Sequence, residues 1–212
     1  MDTLHRMTRE ERLRMRIILA SKSPRRRELL ESLGIRFEVI VSNADESCTA
    51  DDPAALVREI SVRKAQAVVN LLSDSGEDVS DTLIIASDTV VFCGDEILGK
   101  PVDRADAARM MRLLSGRRHS VYSGISVIYG GRVAQDVSIT DVGFGEIGED
   151  ELRWYLECAD YSDKAGAYAV QGEAALFIDG IAGDYFTVVG LPLRRLYMLL
   201  RREFGICLTE KQ

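Results

Sequence analysis

An aspartate in the middle of an apolar segment is the strongest candidate for a catalytic residue in this chain. Asp88 follows residues 84–87 (IIAS) and precedes residues 89–91 (TVV). Burying a carboxylate in such a strand costs free energy unless a cation pairs with it. A divalent metal ion would offset that cost and could support hydrolytic chemistry. Two structural alternatives stay open: Asp88 faces solvent, or an arginine neutralises it.

Consecutive arginines follow a predicted helix N-terminus. Ser23 is a suitable N-cap residue and Pro24 a suitable first helical residue, which places Arg25, Arg26 and Arg27 in the first turn. Cations are unfavourable at this end of a helix dipole. Free backbone N–H groups and arginine side chains together bind phosphate well, so the segment indicates an anion site. A capped surface helix with solvated arginines is the alternative.

Other polar residues lie in loops or turns that a ligand could reach. Glu46, next to Asp45, follows a predicted strand and could supply a second carboxylate to a metal ion. Lys100 lies in a turn, and Gln171 carries both a donor and an acceptor that could read the edge of a base. The alternative for Glu46 is a solvated acidic loop, and for Lys100 it is an exposed lysine in a turn. The alternative for the segment of Gln171 is a packed strand crossing. His119 is interpreted as a structural hydrogen-bonding residue.

Composition argues against several classes of protein. The chain has 212 residues, a net charge of −7, 4 cysteines and 2 histidines. Because no two cysteines form a C-x-x-C pair, a zinc site is not expected. General nucleic-acid binding is not expected either, since it needs a basic surface. No segment resembles a signal peptide, and no apolar run reaches the ~18 residues of a membrane span. These features predict a cytoplasmic protein without nucleic-acid or membrane partners.

Hydrophobic periodicity predicts a mixed α/β sheet with flanking helices. Strands are expected at residues 16–21, 37–41, 83–92, 121–129, 133–144, 174–178 and 185–189. Helices are expected after Ser23, from Asp52 to about residue 72, after Asp103, at 149–157 and after Pro192. Residues 1–15 are interpreted as an N-terminal extension, 16–206 as one domain and 207–212 as a C-terminal tail.

A series of motifs in order resembles the Maf family of nucleotide pyrophosphatases over residues 16–204. They are S-x-S-P-R-R-x-E-L-L (21–30), D-T-V-V (88–91), L-G-K-P (98–101), L-S-G-x-x-H (114–119), K-A-G-A-Y-x-x-Q-G (164–172) and V-V-G-L-P-L (188–193). The resemblance implies an elongated α/β fold similar to that of the inosine triphosphatase group, with two lobes around a cleft. It also implies cleavage between the α- and β-phosphates of a nucleoside triphosphate, which yields a monophosphate and pyrophosphate.

By matching position, the resemblance also implies roles for individual residues. The expected ligands of Mg²⁺ or Mn²⁺ are Glu46 and the proton acceptor, Asp88. The positions that would set substrate specificity are Arg25, Thr89 and Gln171. The positions in the phosphate-binding region are Ser23, Arg26, Lys64 and Lys100.

The segments around Asp88 and Gln171 also indicate a subgroup. Asp88-Thr89 and residues 164–172 resemble the dTTP/UTP type, whereas the 7-methyl-GTP type usually has Asp-Gln and a different second segment. Hydrolysis of dTTP and UTP is therefore expected, with modified pyrimidine nucleotides as further candidate substrates. A 7-methyl-GTP pyrophosphatase and a non-enzymatic regulator of cell division or septum formation remain the alternatives. A homodimer stays open as the assembly.

Overall fold

The computed structural model describes residues 15–41, 43–48 and 50–208. The strands are β1 (Arg16–Leu19), β2 (Glu38–Val39), β3 (Thr82–Cys93), β4 (Glu96–Leu98), β5 (Arg118–Tyr129), β6 (Arg132–Phe144) and β7 (Ile178–Ala182). The helices are α1 (Pro24–Ser32), α2 (Pro53–Asp74), α3 (Arg104–Leu114), α4 (Glu149–Cys158), α5 (Tyr185–Val189) and α6 (Leu193–Phe204). Short 3₁₀ turns cover Ala165–Ala167 and Glu173–Phe177. Residues 1–14, which are all but the last residue of the predicted extension (1–15), lie outside the described residues, and the domain boundaries stay a prediction.

One sheet organises these elements and confirms the predicted mixed α/β class. Its strand order is β2-β1-β3-β5-β6-β7, with β4 paired to β3. β1 runs parallel to both β2 and β3, as strands joined through helices commonly do. The remaining pairs are antiparallel. A turn at Gly130-Gly131 joins β5 to β6, and this pair of glycines between two predicted strands indicates a hairpin from the sequence as well.

The central strand, β3, is apolar because helices cover both of its faces. Leu83 and Ile85 pack in a core region that also contains residues of α1 and α6. Ile84 and Ala86 point the other way and pack with residues of α2. Further along the strand, Val91 belongs to a separate core region built with α3 and α4. The middle of β3 therefore lies between the core regions at its two ends, and Asp88 lies at that point.

Helix α2 approaches the sheet closely at a glycine. A Cβ atom on Gly124 of β5 would lie 2.4 Å from the backbone oxygen of Val57 in α2. Asp88 is the residue of β3 that pairs with Gly124 across the sheet. Position 124 therefore requires glycine, because α2 crosses β5 there, directly beside Asp88 of β3.

Two predicted strands near the C-terminus are wrong. Residues 174–178 lie mainly in a 3₁₀ turn, and the strand follows at Ile178–Ala182. Residues 185–189 form helix α5, in which the Asp184 side chain accepts a hydrogen bond from the Phe186 N–H at 3.0 Å. Short apolar runs fit either a strand or a buried helix turn, and here an N-terminal cap stabilises the helix.

Smaller differences concern element ends and faces. The predicted strand at 37–41 is reduced to Glu38–Val39. Leu33, which directly follows α1, is 47% exposed, and Leu71 of α2 is 51% exposed. Among the residues that the structure describes, no helix combines the length and the apolar character needed to cross a membrane.

Candidate active site

A cleft of about 350 Å³ brings together most of the predicted site residues. Its wall contains the end of β1, the N-terminus of α1, the middle of β3, the 43–48 loop and the segment 163–170. The predicted residues that line it are Ser23, Arg25, Arg26, Glu46, Lys64, Asp88, Thr89 and Lys100. Gln171 is the predicted residue that lies elsewhere.

Asp88 is held in the cleft by a lysine of α2. Its side chain is 11% exposed, and Oδ1 accepts a hydrogen bond from Lys64 Nζ at 2.6 Å. Strand alternation explains the contact, because Asp88 shares the α2 side of β3 with Ile84 and Ala86. Lys64 lies about two helical turns after Val57 and so shares the face of α2 that crosses Gly124. Both sequence alternatives, a solvated Asp88 and one neutralised by arginine, are therefore wrong.

The same lysine connects Asp88 to the second predicted carboxylate. Lys64 Nζ lies 3.2 Å from Glu46 Oε1, and Lys100 Nζ lies 3.4 Å from Glu46 Oε2. Burial alone would raise the pKa of Glu46, but the two lysines outweigh it and hold that pKa below its usual value. Glu46 is therefore ionised at neutral pH, and two carboxylates from distant parts of the chain share one ammonium group.

The loop that carries Glu46 is tied to α2 on both sides of that residue. Arg63 Nη1 donates to the Ser47 carbonyl at 2.5 Å, and the Cys48 thiol donates to Glu59 at 3.1 Å. Asp45 folds the loop on itself by accepting the Ser47 N–H at 2.8 Å. Helix α2 thus positions the Glu46 loop as well as Lys64.

Arg26 acts as a link between three parts of the protein. Its guanidinium donates to the carbonyls of Gly190 at 2.8 Å and Ser87 at 2.7 Å, and to the hydroxyls of Ser21 at 3.3 Å and Thr89 at 3.0 Å. Of the five N–H donors of an arginine, these bonds use all but one. Burial lowers the pKa of Arg26, although the nearby Asp88 raises it. Phosphate binding by Arg26 stays a prediction, and the structure leaves one N–H for it.

Arg26→Lys is expected to lower the free energy of unfolding by about 2–4 kcal/mol, measured by urea denaturation. A lysine ammonium cannot reach acceptors in the β1–α1 loop, on β3 and in the α5–α6 turn at once, so buried carbonyls would lose their donor. The matched control is Arg27→Lys, because Arg27 is exposed and pairs with Glu31 one turn away. Equal stability of the Arg26→Lys and Arg27→Lys proteins would contradict the linking role.

Thr89 lies on the opposite side of β3 from Asp88, and its hydroxyl belongs to a chain of hydrogen bonds. Thr89 Oγ1 is 2.7 Å from Ser123 Oγ, and Ser123 donates to the Thr187 carbonyl at 2.8 Å. Since the Ser123 proton is used in that bond, Thr89 donates to Ser123 and accepts from Arg26. A Cβ atom on Gly190, whose φ is +114°, would lie only 3.3 Å from both Thr89 Oγ1 and Arg26 Nε.

Gln171 is exposed and lines a second depression of about 530 Å³ beside the cleft. Arg25, Lys164 and Ala169 line both hollows and so connect them. Thr89 and Gln171, predicted to set specificity together, therefore face different hollows, with Arg25 at the junction.

Two residues of the site, Lys164 and Gly124, have no role in the expectations drawn from the sequence. Lys164 is 7% exposed at the junction of the two hollows, and Nζ donates to Asp160 at 2.9 Å and to Asp163. A lone glycine inside a predicted strand is a known signal of close backbone approach and could have identified Gly124. For Lys164, which lies outside any helix or strand, the available signal was its place as the first residue of the K-A-G-A-Y-x-x-Q-G motif.

His119 has the structural role that its sequence context indicates. Nε2 lies 2.8 Å from the Tyr168 hydroxyl, and the ring is 2% exposed. Burial lowers the pKa of His119 to about 4, so the imidazole is neutral at physiological pH. Tyr168 lines the cleft, and His119 therefore supports the cleft wall from behind.

Comparison with known proteins places this arrangement in a family. The family model described as Maf-like protein matches residues 16–203. The chain belongs to the Maf family. A dTTP/UTP pyrophosphatase of Thermoanaerobacter sp. (strain X514) is 42% identical over 194 residues, which cover 91% of this chain and 98% of that protein. A protein of the same name from Agathobacter rectalis is 43% identical over 197 residues, 88% of this chain and 96% of that protein.

A third Maf relative, from Bacillus anthracis, is also called dTTP/UTP pyrophosphatase and is 41% identical over 196 residues, 92% of this chain and 98% of that protein. Among solved structures, the Ham1 protein of Staphylococcus aureus has a TM-score of 0.42 and 14% identity, covering 76% of this chain and 90% of that one. That degree of similarity is too low to establish a shared fold. The family assignment rests on the sequence match, which spans the whole cleft.

Proposed function

We propose that this Maf protein is a nucleoside triphosphate pyrophosphatase that hydrolyses dTTP and UTP to the monophosphate and pyrophosphate. The observation that carries the proposal is the Lys64 ammonium held between Asp88 and Glu46 in a cleft rich in cations. The cleft also contains Lys22, Arg25, Arg26, Lys100 and Lys164. Relatives with 41–43% identity that carry the name dTTP/UTP pyrophosphatase support this substrate class.

The proposed cofactor is Mg²⁺ or Mn²⁺, held by Asp88 and Glu46. Among the described residues, no group of three or more His, Cys, Asp or Glu side chains is placed to hold a metal ion. Mg²⁺, however, is commonly bound through one or two carboxylates together with substrate phosphate oxygens. Asp88 and Glu46 fit that mode, because they contact the same lysine nitrogen. When bound, the ion would supply charge stabilisation to the reacting phosphates.

In the proposed reaction, Asp88 accepts a proton from the attacking water. Lys64 contacts Oδ1, which leaves Oδ2 of Asp88 to take that proton. Lys64, Lys100 and Arg25 stabilise the negative charge of the phosphates, and Ser23 lies at the helix N-terminus where backbone N–H groups bind phosphate. Positioning and charge stabilisation dominate such phosphoryl chemistry. The location of Arg25 on α1, Lys64 on α2 and Asp88 on β3 suits it.

For location and assembly, the cytoplasm and a homodimer remain proposals. Cys48, Cys93, Cys158 and Cys207 are free thiols, as is usual in a reducing compartment. Ile139, Tyr185 and Phe186 are exposed apolar side chains that support a contact between copies. Sedimentation of the purified protein would test the homodimer.

A substrate panel tests the proposed function. Pyrophosphate release should be fastest with dTTP and UTP, slower with CTP, GTP, ATP and 7-methyl-GTP, and should fall to background when EDTA replaces Mg²⁺ or Mn²⁺. Some release from every nucleotide is expected, because the cations and carboxylates of the cleft act on the triphosphate that all of them share. The differences in rate between nucleotides then report selection of the base. Chromatographic separation of the nucleoside monophosphate from the triphosphate provides the measurement, since this readout itself requires no metal ion.

The alternative results are equally informative. Preference for 7-methyl-GTP would support the proposed hydrolysis but reject the dTTP/UTP subgroup. Preference for a modified pyrimidine nucleotide would restrict the proposed substrates to that nucleotide. Absence of release from every nucleotide would reject the enzyme and favour a regulatory protein of cell division.

A further inference from the structure

The second depression differs from the cleft in its balance of charges. The cleft is lined by six cationic side chains and three carboxylates. The depression is lined by the carboxylates Glu28, Asp160 and Glu173 and by the cations Arg25 and Lys164. Lys164 is already bound to Asp160 and Asp163. Such a surface attracts a triphosphate less than the cleft does, whereas it can accept hydrogen bonds from an uncharged base with N–H donors. The base therefore fits the depression and the phosphates fit the cleft.

Gln171 alone cannot select one pyrimidine over another. Its side-chain amide has a donor end and an acceptor end and can rotate to match either edge. Uracil and thymine present an imide N3–H donor between two carbonyl oxygens. Cytosine presents an N3 acceptor next to an amino group. Selection between them requires a neighbouring group with one fixed character, either donor or acceptor.

Arg25 and Glu28 supply fixed groups of both kinds. They are three residues apart in α1, a spacing that places two side chains on the same face of a helix, and both line the depression. Arginine only donates hydrogen bonds, and an ionised glutamate only accepts them. Among the described residues, the Glu28 carboxylate takes part in no ion pair and no hydrogen bond of the protein itself, whereas Asp160 is bound to Lys164. Glu28 is thus an acceptor that remains available to a ligand.

Given the proposed hydrolysis of dTTP and UTP, on which this inference rests, we propose that Glu28 is a further specificity-determining residue. Its carboxylate accepts the N3–H of uracil or thymine, while Arg25 donates to the adjacent carbonyl oxygen O4. Cytosine in the same position would place its N3 lone pair against Glu28 and its amino group against Arg25. Both contacts would then be repulsive, which is how a site rejects a near-isosteric ligand.

Glu28→Gln tests this role through the ratio of kcat/KM for UTP to kcat/KM for CTP. The ratio should fall about tenfold, the order of effect of one well-placed donor–acceptor pair, because the glutamine amide can also donate to cytosine N3. The matched control is Glu31→Gln, one turn further along α1, where the side chain pairs with Arg27 away from both hollows. Its ratio should equal that of the unmodified protein.

Two results would overturn the role of Glu28. The first is an unchanged UTP/CTP ratio in a folded Glu28→Gln protein that still hydrolyses UTP. The second is a fall of the ratio in Glu173→Gln without one in Glu28→Gln, which would assign the acceptor to the other unpaired carboxylate of the depression. Failure of the proposed function would look different, because the unmodified protein would then hydrolyse neither UTP nor dTTP.

Discussion

Asp88→Asn is expected to reduce pyrophosphate release from dTTP by about 10²–10⁴-fold, the usual contribution of a general base. Asparagine keeps the shape of the side chain and can still accept a hydrogen bond from Lys64, but it cannot take a proton from water. The loss should appear in kcat, with dTTP still bound by the cations of the cleft. Steady-state kinetics and direct binding of dTTP would separate the two effects.

The fold should survive this substitution. Asp88 shares Lys64 with Glu46, so the ammonium keeps one carboxylate partner when the other becomes an amide. The matched control is Asp150→Asn, in which an exposed aspartate of α4 that pairs with Arg153 and does not line the cleft loses its charge. Turnover at the unmodified rate in a folded Asp88→Asn protein would rule out Asp88 as the proton acceptor.

Gly124→Ala is expected to lower the free energy of unfolding by about 2–3 kcal/mol, the range of an overpacked core. The new methyl group would lie 2.4 Å from the Val57 backbone oxygen, and a backbone atom cannot rotate away as a side chain can. Helix α2 must therefore shift away from the sheet. Because α2 also carries Lys64 and holds the Glu46 loop, turnover should fall together with stability.

A second strand glycine provides the control for this experiment. Gly143 lies in β6, and a Cβ atom there would meet its nearest neighbour, the Gly180 oxygen, at 3.9 Å. Gly143→Ala should therefore leave stability and turnover close to their original values. Urea denaturation and pyrophosphate release are measured for both variants. An equal stability of the two alanine variants would show that α2 does not depend on Gly124 for its position.

The two expected effects share one structural cause. The proposed role of Asp88 requires Lys64 and Glu46 next to it. Helix α2 positions both, because it carries Lys64 and because its Arg63 contacts the Glu46 loop. A change at Gly124 therefore acts on the reaction without touching a ligand, whereas a change at Asp88 acts on the reaction without moving the fold.

Local sequence patterns were sufficient for most of the fold and for the candidate residues. The apolar run around Asp88, the Ser23-Pro24 helix start and the glycine pair at the β5–β6 turn each depend on neighbours within a few residues, and each was predicted correctly. Periodicity failed at residues 174–178 and 185–189, because runs of about five residues are too short to distinguish a strand from a helical turn.

Contacts between distant residues were decided by the tertiary structure alone. Asp88 and Lys64 are 24 positions apart, and their contact depends on the close crossing of α2 over Gly124. Likewise, the use of Arg26 in internal hydrogen bonds and the separation of Gln171 from Thr89 follow from packing across the sheet. The sequence determined which chemical groups this protein has and which local elements carry them, because residue types and their spacing do not depend on the rest of the fold. Only packing of the helices on the sheet decided which of those groups meet, because backbone approach and side-chain burial depend on every layer of the fold at once.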